Sequence, residues 1–238
     1  QSLKKVNPKI ITCSISGFGD TELNRPAYDN LIQGYAGAMS ITGTDKENPV
    51  KSGIPIADLG AGLYAVIGIL SAIQSREKND SGEHVDISML DTQVSLLTYM
   101  ATMHFLSGEN PEPIGNQHMN HVPFNSYRTL DGFIQIGVVA EDFWPSLIEA
   151  LDLRQLDTEE NKVRIGRLKN RENIDEALQE VFITNTTEHW LKILQEHRVP
   201  CGPINTLSET FEDADLLKRN MIVEVLQDSG TSVKMPGN

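Results

Sequence analysis

A long apolar run behind a single acidic residue constrains the fold of this chain more than any other feature. No charged side chain occurs from Leu59 to Ile73, and Asp58 stands directly before the run. Apolar residues over this length, followed by a charged segment, are typical of a helix that packs against a core. The sequence therefore predicts a long helix over residues 58–78.

The residues around Asp58 are small: Ala57, Gly60, Ala61 and Gly62. Each glycine costs a helix about 1 kcal/mol relative to alanine. One interpretation of Asp58 is a helix N-cap, since Asp is among the best capping residues. A second is a site where a ligand approaches bare backbone, and where the exposed N–H groups and the helix dipole favour an anion or oxyanion. An ionised carboxylate there is a workable nucleophile for an acyl group, and the two interpretations are compatible.

Strand-like and helix-like patterns alternate in the first half of the chain. A β-branched apolar run lies between Pro8 and Gly17, which is typical of a buried parallel strand. The segment Gly17-Phe18-Gly19 follows at its carboxyl end, where open α/β sheets usually place ligands. The patterns predict strands over 10–16 and 85–90 and helices over 27–39 and 91–106, the last capped by Asp91.

The character of the chain changes after residue 106. Residues 107–123 are rich in Pro, Gly and Asn and have no periodicity, so they are the best linker candidate. Residues 124–139 predict a hairpin that turns at Asp131-Gly132. The remaining patterns predict helices over 141–151, 171–183, 187–197 and 207–219, an extended piece over 199–204, and strands over 222–226 and 232–236. The predicted class is α/β, with a large domain interrupted by a smaller one.

Composition excludes several classes of function. The net charge of −13 argues against non-specific nucleic-acid binding, which rests on neutralising phosphates. Cys13 and Cys201 are far apart and match no metal-ligand spacing, and two unpaired thiols suit a reducing cytoplasm. No apolar run reaches the roughly 20 residues that span a bilayer, so no membrane partner is expected.

Tyr28, His118 and His121 are further candidates. Tyr28 is either a half-buried tyrosine at a helix start or a hydrogen-bond donor to a substrate oxygen. His118 and His121 lie among Gly, Asn and Pro, so they belong to a loop, and no accompanying metal-ligand pattern occurs. We therefore expect polar contact with a ligand and no metal. Phosphate-loop, dinucleotide and serine-nucleophile motifs are absent from the sequence.

One ordered series of motifs covers the whole chain: SISGFG, RPAYDNLIQGYAGAMSITG, GIPIADLGAGLYAVIGILSAI, SGEHVDISMLD, GNQH, VPFNSYRTLDGFIQIGV, EDFW, EHWLKIL and RVPCGPINTLSE. The series resembles the class III CoA-transferases, which include formyl-CoA transferase, carnitine CoA-transferase and α-methylacyl-CoA racemase. The resemblance implies a Rossmann-like large domain with an inserted smaller α+β domain, in two chains threaded through each other as an interlocked homodimer.

The resemblance also implies roles for individual residues. Asp58 matches the aspartate that attacks the acyl-CoA thioester and then holds CoA as an aspartyl thioester. Tyr28 matches a histidine of the racemases, and a phenol with a free pKa near 10 is a poor base for proton abstraction, which favours transfer over racemisation. Ala27 and Gly60 flank these two residues and are expected to contact the substrate.

A loop that covers the intermediate in formyl-CoA transferase corresponds here to residues 115–123. Asn120 and His121 stand where that enzyme has glycines, and both are expected to contact the substrate. Some members of the family have a CoA-contacting lysine two positions before the residue that matches Tyr28. This chain has Pro26 at that position, and Arg25 precedes it. Most CoA contacts of the family precede the first residue of this sequence, which is expected to lack part of the protein at both ends.

The resemblance places the large domain in residues 1–107, the small domain with its linkers in 108–205, and the return to the large domain in 206–238. The implied activity is CoA transfer from an acyl-CoA to a carboxylic acid, with the CoA thioester as substrate and no permanently bound cofactor. Two alternatives stay open. An isomerase acting at the α-carbon would incorporate solvent deuterium there without CoA exchange between acids, and a non-catalytic CoA-binding protein would bind CoA without forming a covalent adduct.

Overall fold

The structure is a computed structural model that describes residues 2–20 and 25–237. The chain divides into two compact units, one that ends at Gly115 and one that starts at Asn116. This division falls inside the predicted linker, residues 107–123. The second unit includes residues 206–238, and their assignment to a large domain stays a prediction.

The first unit contains a two-stranded parallel sheet and the helices that connect and cover it. Its strands are β1 Thr12–Ser16 and β2 His84–Ser88, and its helices are α1 Ser2–Val6, α2 Asp29–Tyr35, α3 Ile56–Asn79, α4 Met89–Ser95 and α5 Thr98–Ser107. The two strands pair in parallel, with Thr12 opposite His84 and Ser16 opposite Ser88. Because α2 and α3 lie between them in sequence, the unit has the β-α-β connection that parallel pairing requires.

The parallel pairing of the first strand is confirmed, but its predicted burial is wrong for the described residues. Half-buried and exposed positions alternate along β1, and Ile15 is 53% exposed. On the same sheet the Ser14 hydroxyl donates to Asp86 Oδ1 at 2.8 Å. Alternation of this kind is the pattern of a strand with one solvated face.

The long helix is confirmed as α3, Ile56–Asn79. Its buried face consists of alanines and one glycine, and it packs on β1, β2, α2 and α4. The buried residues of the surrounding cluster are Phe18, Ile32, Ala57, Ala61 and Met89. Small residues on this face let the helix axis approach the sheet and α4 closely.

α3 is also long and apolar enough to cross a membrane, and 28% of its most apolar 18-residue window is buried. This corrects the expectation that no run reaches such a length. Length and composition do not separate a membrane helix from the core helix of a globular domain, and this helix packs on a sheet.

The predicted helix 91–106 is two helices, α4 and α5. Ser88 caps α4, because its hydroxyl oxygen accepts from the Asp91 N–H at 3.1 Å, so the prediction that Asp91 is the cap is wrong. Thr98, the first residue of α5, has φ of 48°, which breaks the helix there. The predicted helix 27–39 ends earlier too: α2 stops at Tyr35, and Gly37 takes a left-handed φ of 80° before a short 3-10 helix.

The second unit contains a three-stranded antiparallel sheet covered by helices. Its strands are β3 Phe124–Arg128, β4 Phe133–Gly137 and β5 Cys201–Pro203, and its helices are α6 Phe143–Leu151, α7 Arg164–Lys169, α8 Arg171–Phe182 and α9 Thr187–Glu196. The predicted hairpin is confirmed. Leucine, isoleucine and aromatic side chains of the sheet, α6, α8 and α9 form one core, with Trp144, Leu147, Ile174 and Phe182 at most 1% exposed.

The end of the chain forms two short helices and a hairpin. These elements are α10 Leu207–Glu212, α11 Ala214–Lys218, β6 Ile222–Leu226 and β7 Ser232–Pro236. Both strands have the predicted bounds. The predicted helix 207–219 is interrupted because the Asp213 side chain accepts from the N–H groups of Asp215 and Leu216, at 3.0 and 2.9 Å, and so starts a second helix.

Candidate active site

Asp58 lies in the first turn of α3 and its side chain is exposed to solvent. The helix begins at Ile56, and the capping position is Pro55, which makes no side-chain capping bond. The interpretation of Asp58 as the N-cap is therefore wrong, because it is the third helical residue. A carboxylate in the first turn is still stabilised by the helix dipole.

The first-turn N–H groups of α3 are occupied by the chain itself. Asp29 Oδ1 accepts from the N–H of Ala57 at 2.8 Å and, more weakly, from that of Asp58 at 3.4 Å. The N–H groups of Ile56 and Leu59 donate to backbone carbonyl oxygens at 2.8 and 3.0 Å. The expectation of free backbone donors for a ligand anion at this helix end is thus wrong, since an internal carboxylate takes that place.

Tyr28 immediately precedes α2 and is 69% exposed, so the expectation of a half-buried ring is wrong. Its extended backbone presents the ring to solvent, while its carbonyl oxygen accepts from the N–H groups of Leu31 and Ile32, at 3.0 and 3.1 Å. Ala27 packs against the segment after β1, because a Cβ added to Gly17 would be 2.1 Å from the Ala27 Cβ. The Tyr28 side chain is therefore accessible to solvent, while the packing of Ala27 and the hydrogen bonds of the Tyr28 carbonyl oxygen hold its backbone in place.

Arg25 stacks on two aromatic rings. Its guanidinium lies 4.4 Å from the ring centroid of Phe18 and 4.5 Å from that of Tyr35. The two rings meet edge to face at 5.5 Å. This cation–π arrangement explains Arg25 as a packing residue of the first unit.

The two glycines near Asp58 have different surroundings. A Cβ at Gly60 would lie 3.0 Å from Thr92 Cγ2 and 3.2 Å from Leu96 Cδ1, so this glycine permits the close packing of α3 on α4. A Cβ at Gly62 would meet nothing within 4 Å. The packing explains Gly60 without a ligand, and its contact with substrate stays a prediction.

Asn120 and His121 lie in the second unit, in the segment before β3. The Asn120 N–H donates to His118 Nδ1 at 3.0 Å. Because a backbone N–H only donates, His118 Nδ1 is the acceptor in this hydrogen bond. The rings of His118 and His121 lie 4.7 Å apart, and His121 Nδ1 is buried without a hydrogen-bond partner.

Asp58, Tyr28, Ala27 and Gly60 all lie in the first unit, at or just before the starts of α2 and α3. Asp29, next to Tyr28, accepts from the N–H groups of Ala57 and Asp58, and Ala27 packs on the cluster that contains Ala57. In the described ranges 2–20 and 25–237, no three His, Cys, Asp or Glu side chains form a group that could hold a metal ion.

Cys13 and Cys201 are free thiols, and burial raises the pKa of Cys201.

Sequence reasoning missed Asp29 and Gln33 as members of this site. Asp29 Oδ2 accepts from Gln33 Nε2 at 2.6 Å, and Gln33 Oε1 accepts from the Ser52 N–H at 2.9 Å. Gln33 and Ser52 are 19 positions apart, and Asp29 and Ala57 are 28 positions apart, so no local pattern reveals these contacts. The available signal was an acidic residue directly after Tyr28.

The model of CoA-transferase family III matches residues 1–238, the whole chain. The chain belongs to this family. Membership confirms the resemblance found in the motifs.

Two of the curated relatives illustrate the activities found in similar proteins. Succinyl-CoA:glutarate CoA-transferase of Homo sapiens is 29% identical over 240 residues, covering 100% of this chain and 55% of that protein. Succinyl-CoA:mesaconate CoA-transferase of Haloarcula marismortui is 32% identical over 233 residues, covering 95% of this chain and 58% of that protein. The chain thus spans little more than half the length of these relatives.

A solved structure shares the fold. The crystal structure of a CaiB/BaiF family protein from Brucella suis matches with a TM-score of 0.83 and 33% identity, covering 93% of this chain and 60% of that one. This likeness supports the mixed α/β class. The Rossmann-like large domain with its inserted small domain and the interlocked dimer stay predictions.

Proposed function

We propose that the full-length protein transfers CoA from a dicarboxylic acyl-CoA to a free carboxylic acid through covalent intermediates on Asp58. The supporting observation is the exposed Asp58 carboxylate in the first turn of α3, in a chain of this family. The N–H groups of Ala57 and Asp58 donate to Asp29, the residue directly after the exposed Tyr28. Two relatives are named for succinyl-CoA as donor, so succinyl-CoA is the first donor to test.

The chemistry follows from the carboxylate. An Asp58 oxygen attacks the thioester carbonyl carbon, the C–S bond breaks, and CoA leaves as the thiolate with an aspartyl-acyl anhydride remaining. The thiolate attacks the Asp58 carbonyl carbon, which releases the donor acid and forms an aspartyl-CoA thioester. The incoming carboxylate attacks that thioester and expels the thiolate. Attack of the thiolate on the acceptor carbonyl then gives the new acyl-CoA and restores Asp58.

Tyr28 is proposed to donate its hydroxyl proton in a hydrogen bond to the acyl oxygen that becomes negative during these attacks. The backbone at the start of α3 is not available for this role, because Asp29 occupies it. Preorganised donors at such an oxygen typically supply a large part of acyl-transfer catalysis. Ala27, Gly60, Asn120 and His121 are proposed to contact the substrate.

The remaining expectations are proposals of the same kind. The CoA thioester is substrate, with no permanently bound cofactor and no metal. The large domain is proposed to comprise residues 1–107 and 206–238 and the small one residues 108–205, in an interlocked homodimer in the cytoplasm. The family match supports the CoA thioester as substrate, and the free thiols suit a reducing cytoplasm.

The test uses full-length protein incubated with succinyl-CoA, quenched, and treated with hydroxylamine or borohydride before peptide mass spectrometry. We expect a modified peptide at Asp58 and no transfer by Asp58→Ala, whose side chain is exposed and whose loss leaves folding intact. Asp91→Ala is the matched control, since Asp91 is an exposed carboxylate of the same unit. Retained turnover by Asp58→Ala refutes the proposal, and α-deuterium incorporation without an adduct indicates the isomerase.

A further inference from the structure

The helix that bears Asp58 takes its cap from a distant residue. Pro55, at the capping position of α3, makes no side-chain capping bond. The carboxylate of Asp29, which is 28 positions before Ala57, replaces it by accepting from the Ala57 N–H at 2.8 Å. A side-chain acceptor at a helix start stabilises the first turn, so this bond contributes to where α3 begins.

A second side chain holds the first in place. Gln33 lies one turn after Asp29 on α2 and is 1% exposed. Its Nε2 donates to Asp29 Oδ2 at 2.6 Å, and its Oε1 accepts from the Ser52 N–H at 2.9 Å. Asp29 and Gln33 therefore tie both the segment before α3 and the first turn of α3 to α2. We call the bonds that these two side chains make the Asp29–Gln33 bridge.

The bridge fixes the two proposed reactive side chains relative to each other. Tyr28 is the residue before Asp29, and Asp58 is the residue after Ala57. A shift of the Asp29–Ala57 contact moves the Asp58 backbone relative to the Tyr28 backbone. Both Asp29 oxygens already accept hydrogen bonds, which distinguishes this carboxylate from the exposed Asp58.

We infer that Asp29 is a positioning residue for CoA transfer, which sets the geometry between Asp58 and Tyr28 through the Asp29–Gln33 bridge. This inference rests on the proposed function. Misplacement by about 1 Å can cost a reaction roughly a hundredfold, so a bridge of this kind acts on turnover without touching the substrate.

The bridge can be tested by exchanging its two polar groups. In Asp29→Asn the new NH₂ faces the Gln33 NH₂, and in Gln33→Glu two carboxylates face each other. In the double variant D29N/Q33E every donor again faces an acceptor. The amide now at position 29 accepts from the Ala57 N–H and donates to the carboxylate now at position 33, which in turn accepts from the Ser52 N–H. The pair keeps a charge of −1, displaced by one side chain.

The measurements are kcat and KM for transfer by the full-length protein, with amide hydrogen exchange at Ala57. We expect each single variant to lose about tenfold or more in kcat with a smaller change in KM, and to exchange Ala57 faster. We expect the double variant to regain most of the kcat and the protection. Thermal unfolding of each variant reports whether it is folded.

Three outcomes overturn the inference. The first is a kcat of Asp29→Asn equal to that of the wild-type protein. The second is a folded double variant in which the Ala57 amide is protected again while kcat stays low. That result would assign the effect to the charge of Asp29. The third is fast exchange of the Ala57 amide in the wild-type protein, a measurement that needs no variant. If the singles do not fold, the double variant alone decides. A wild-type protein without transfer or Asp58 adduct refutes the proposed function, while the exchange data still report on the bridge.

Discussion

Gly68 of α3 lies directly against Val85 of β2: a Cβ at Gly68 would be 2.6 Å from Val85 Cγ1. Real Cβ atoms do not approach so closely, so the helix rests on the strand because residue 68 has no side chain. The glycines of the apolar run thus have different structural roles. Gly68 allows packing on the sheet, Gly60 allows packing on α4, and Gly62 faces open space.

The glycine contacts predict opposite effects of alanine on stability. Gly62→Ala replaces a helix-destabilising residue at a position where the added Cβ contacts no other atom. We therefore expect the free energy of unfolding to rise by about 0.5–1 kcal/mol. In Gly68→Ala the added Cβ is too close to Val85, so we expect the free energy of unfolding to fall by about 1–3 kcal/mol. Urea denaturation of the two variants beside wild type checks this. Equal stabilities would show that α3 does not lie on β2 as described.

The buried Arg167 predicts a large loss of stability on substitution. Its side chain is fully buried and donates to Val122 O, Asn161 O and Glu141 Oε2 at 2.8, 3.0 and 2.7 Å. Arg167→Met leaves buried carbonyl groups unpaired, so we expect a loss of about 2–4 kcal/mol in the free energy of unfolding. Glu141→Gln is the control, because that side chain is 56% exposed and we expect a loss of about 1 kcal/mol or less. Denaturant titration measures both, and a larger loss in the control contradicts the interpretation.

The His121 environment predicts a pH dependence of stability. Burial lowers the pKa of His121, and the positive charges of His118, Arg164 and Arg167 lower it further, against the opposing charge of Glu141. The unfolded chain therefore binds a proton on this ring more readily than the folded chain. Stability is full above about pH 6.5 and falls as the pH drops through the lowered value.

His121→Asn removes this titration. We expect the free energy of unfolding to change less between pH 7 and pH 5 in this variant than in wild type. The His121 ring signal followed by NMR should titrate below the usual histidine range. Identical pH slopes in both proteins would contradict the prediction.

The exposed Tyr28 predicts an effect on turnover that is separate from stability. Tyr28→Phe removes only the hydroxyl of a side chain that is 69% exposed, so unfolding should be unchanged. If the hydroxyl stabilises the developing oxyanion, kcat for transfer by the full-length protein should fall roughly a hundredfold. Tyr99→Phe, at a tyrosine that is 58% exposed in the same unit, is the control. Wild-type kcat in Tyr28→Phe would remove the tyrosine from the mechanism.

Local patterns were sufficient for most of the elements. The apolar run predicted α3, and the turn at Asp131-Gly132 predicted the hairpin of β3 and β4. Helix breaks were less predictable: Ser88 and not Asp91 caps α4, and Asp213 starts a second helix inside a predicted one. Several polar residues near a boundary can each cap it, and the choice depends on how the chain enters the helix.

Residue order alone predicted the α/β class, the position of α3, the family and the candidacy of Asp58 and Tyr28, because these depend on local patterns and on the order of motifs along the chain. How the start of α3 is held depends on packing between distant segments. Asp29 reaches the Ala57 N–H across 28 positions, and its carboxylate fills the place that the sequence left for a ligand anion. A hydrogen bond of this kind exists only once α2 packs on α3, so periodicity and propensity carry no trace of it.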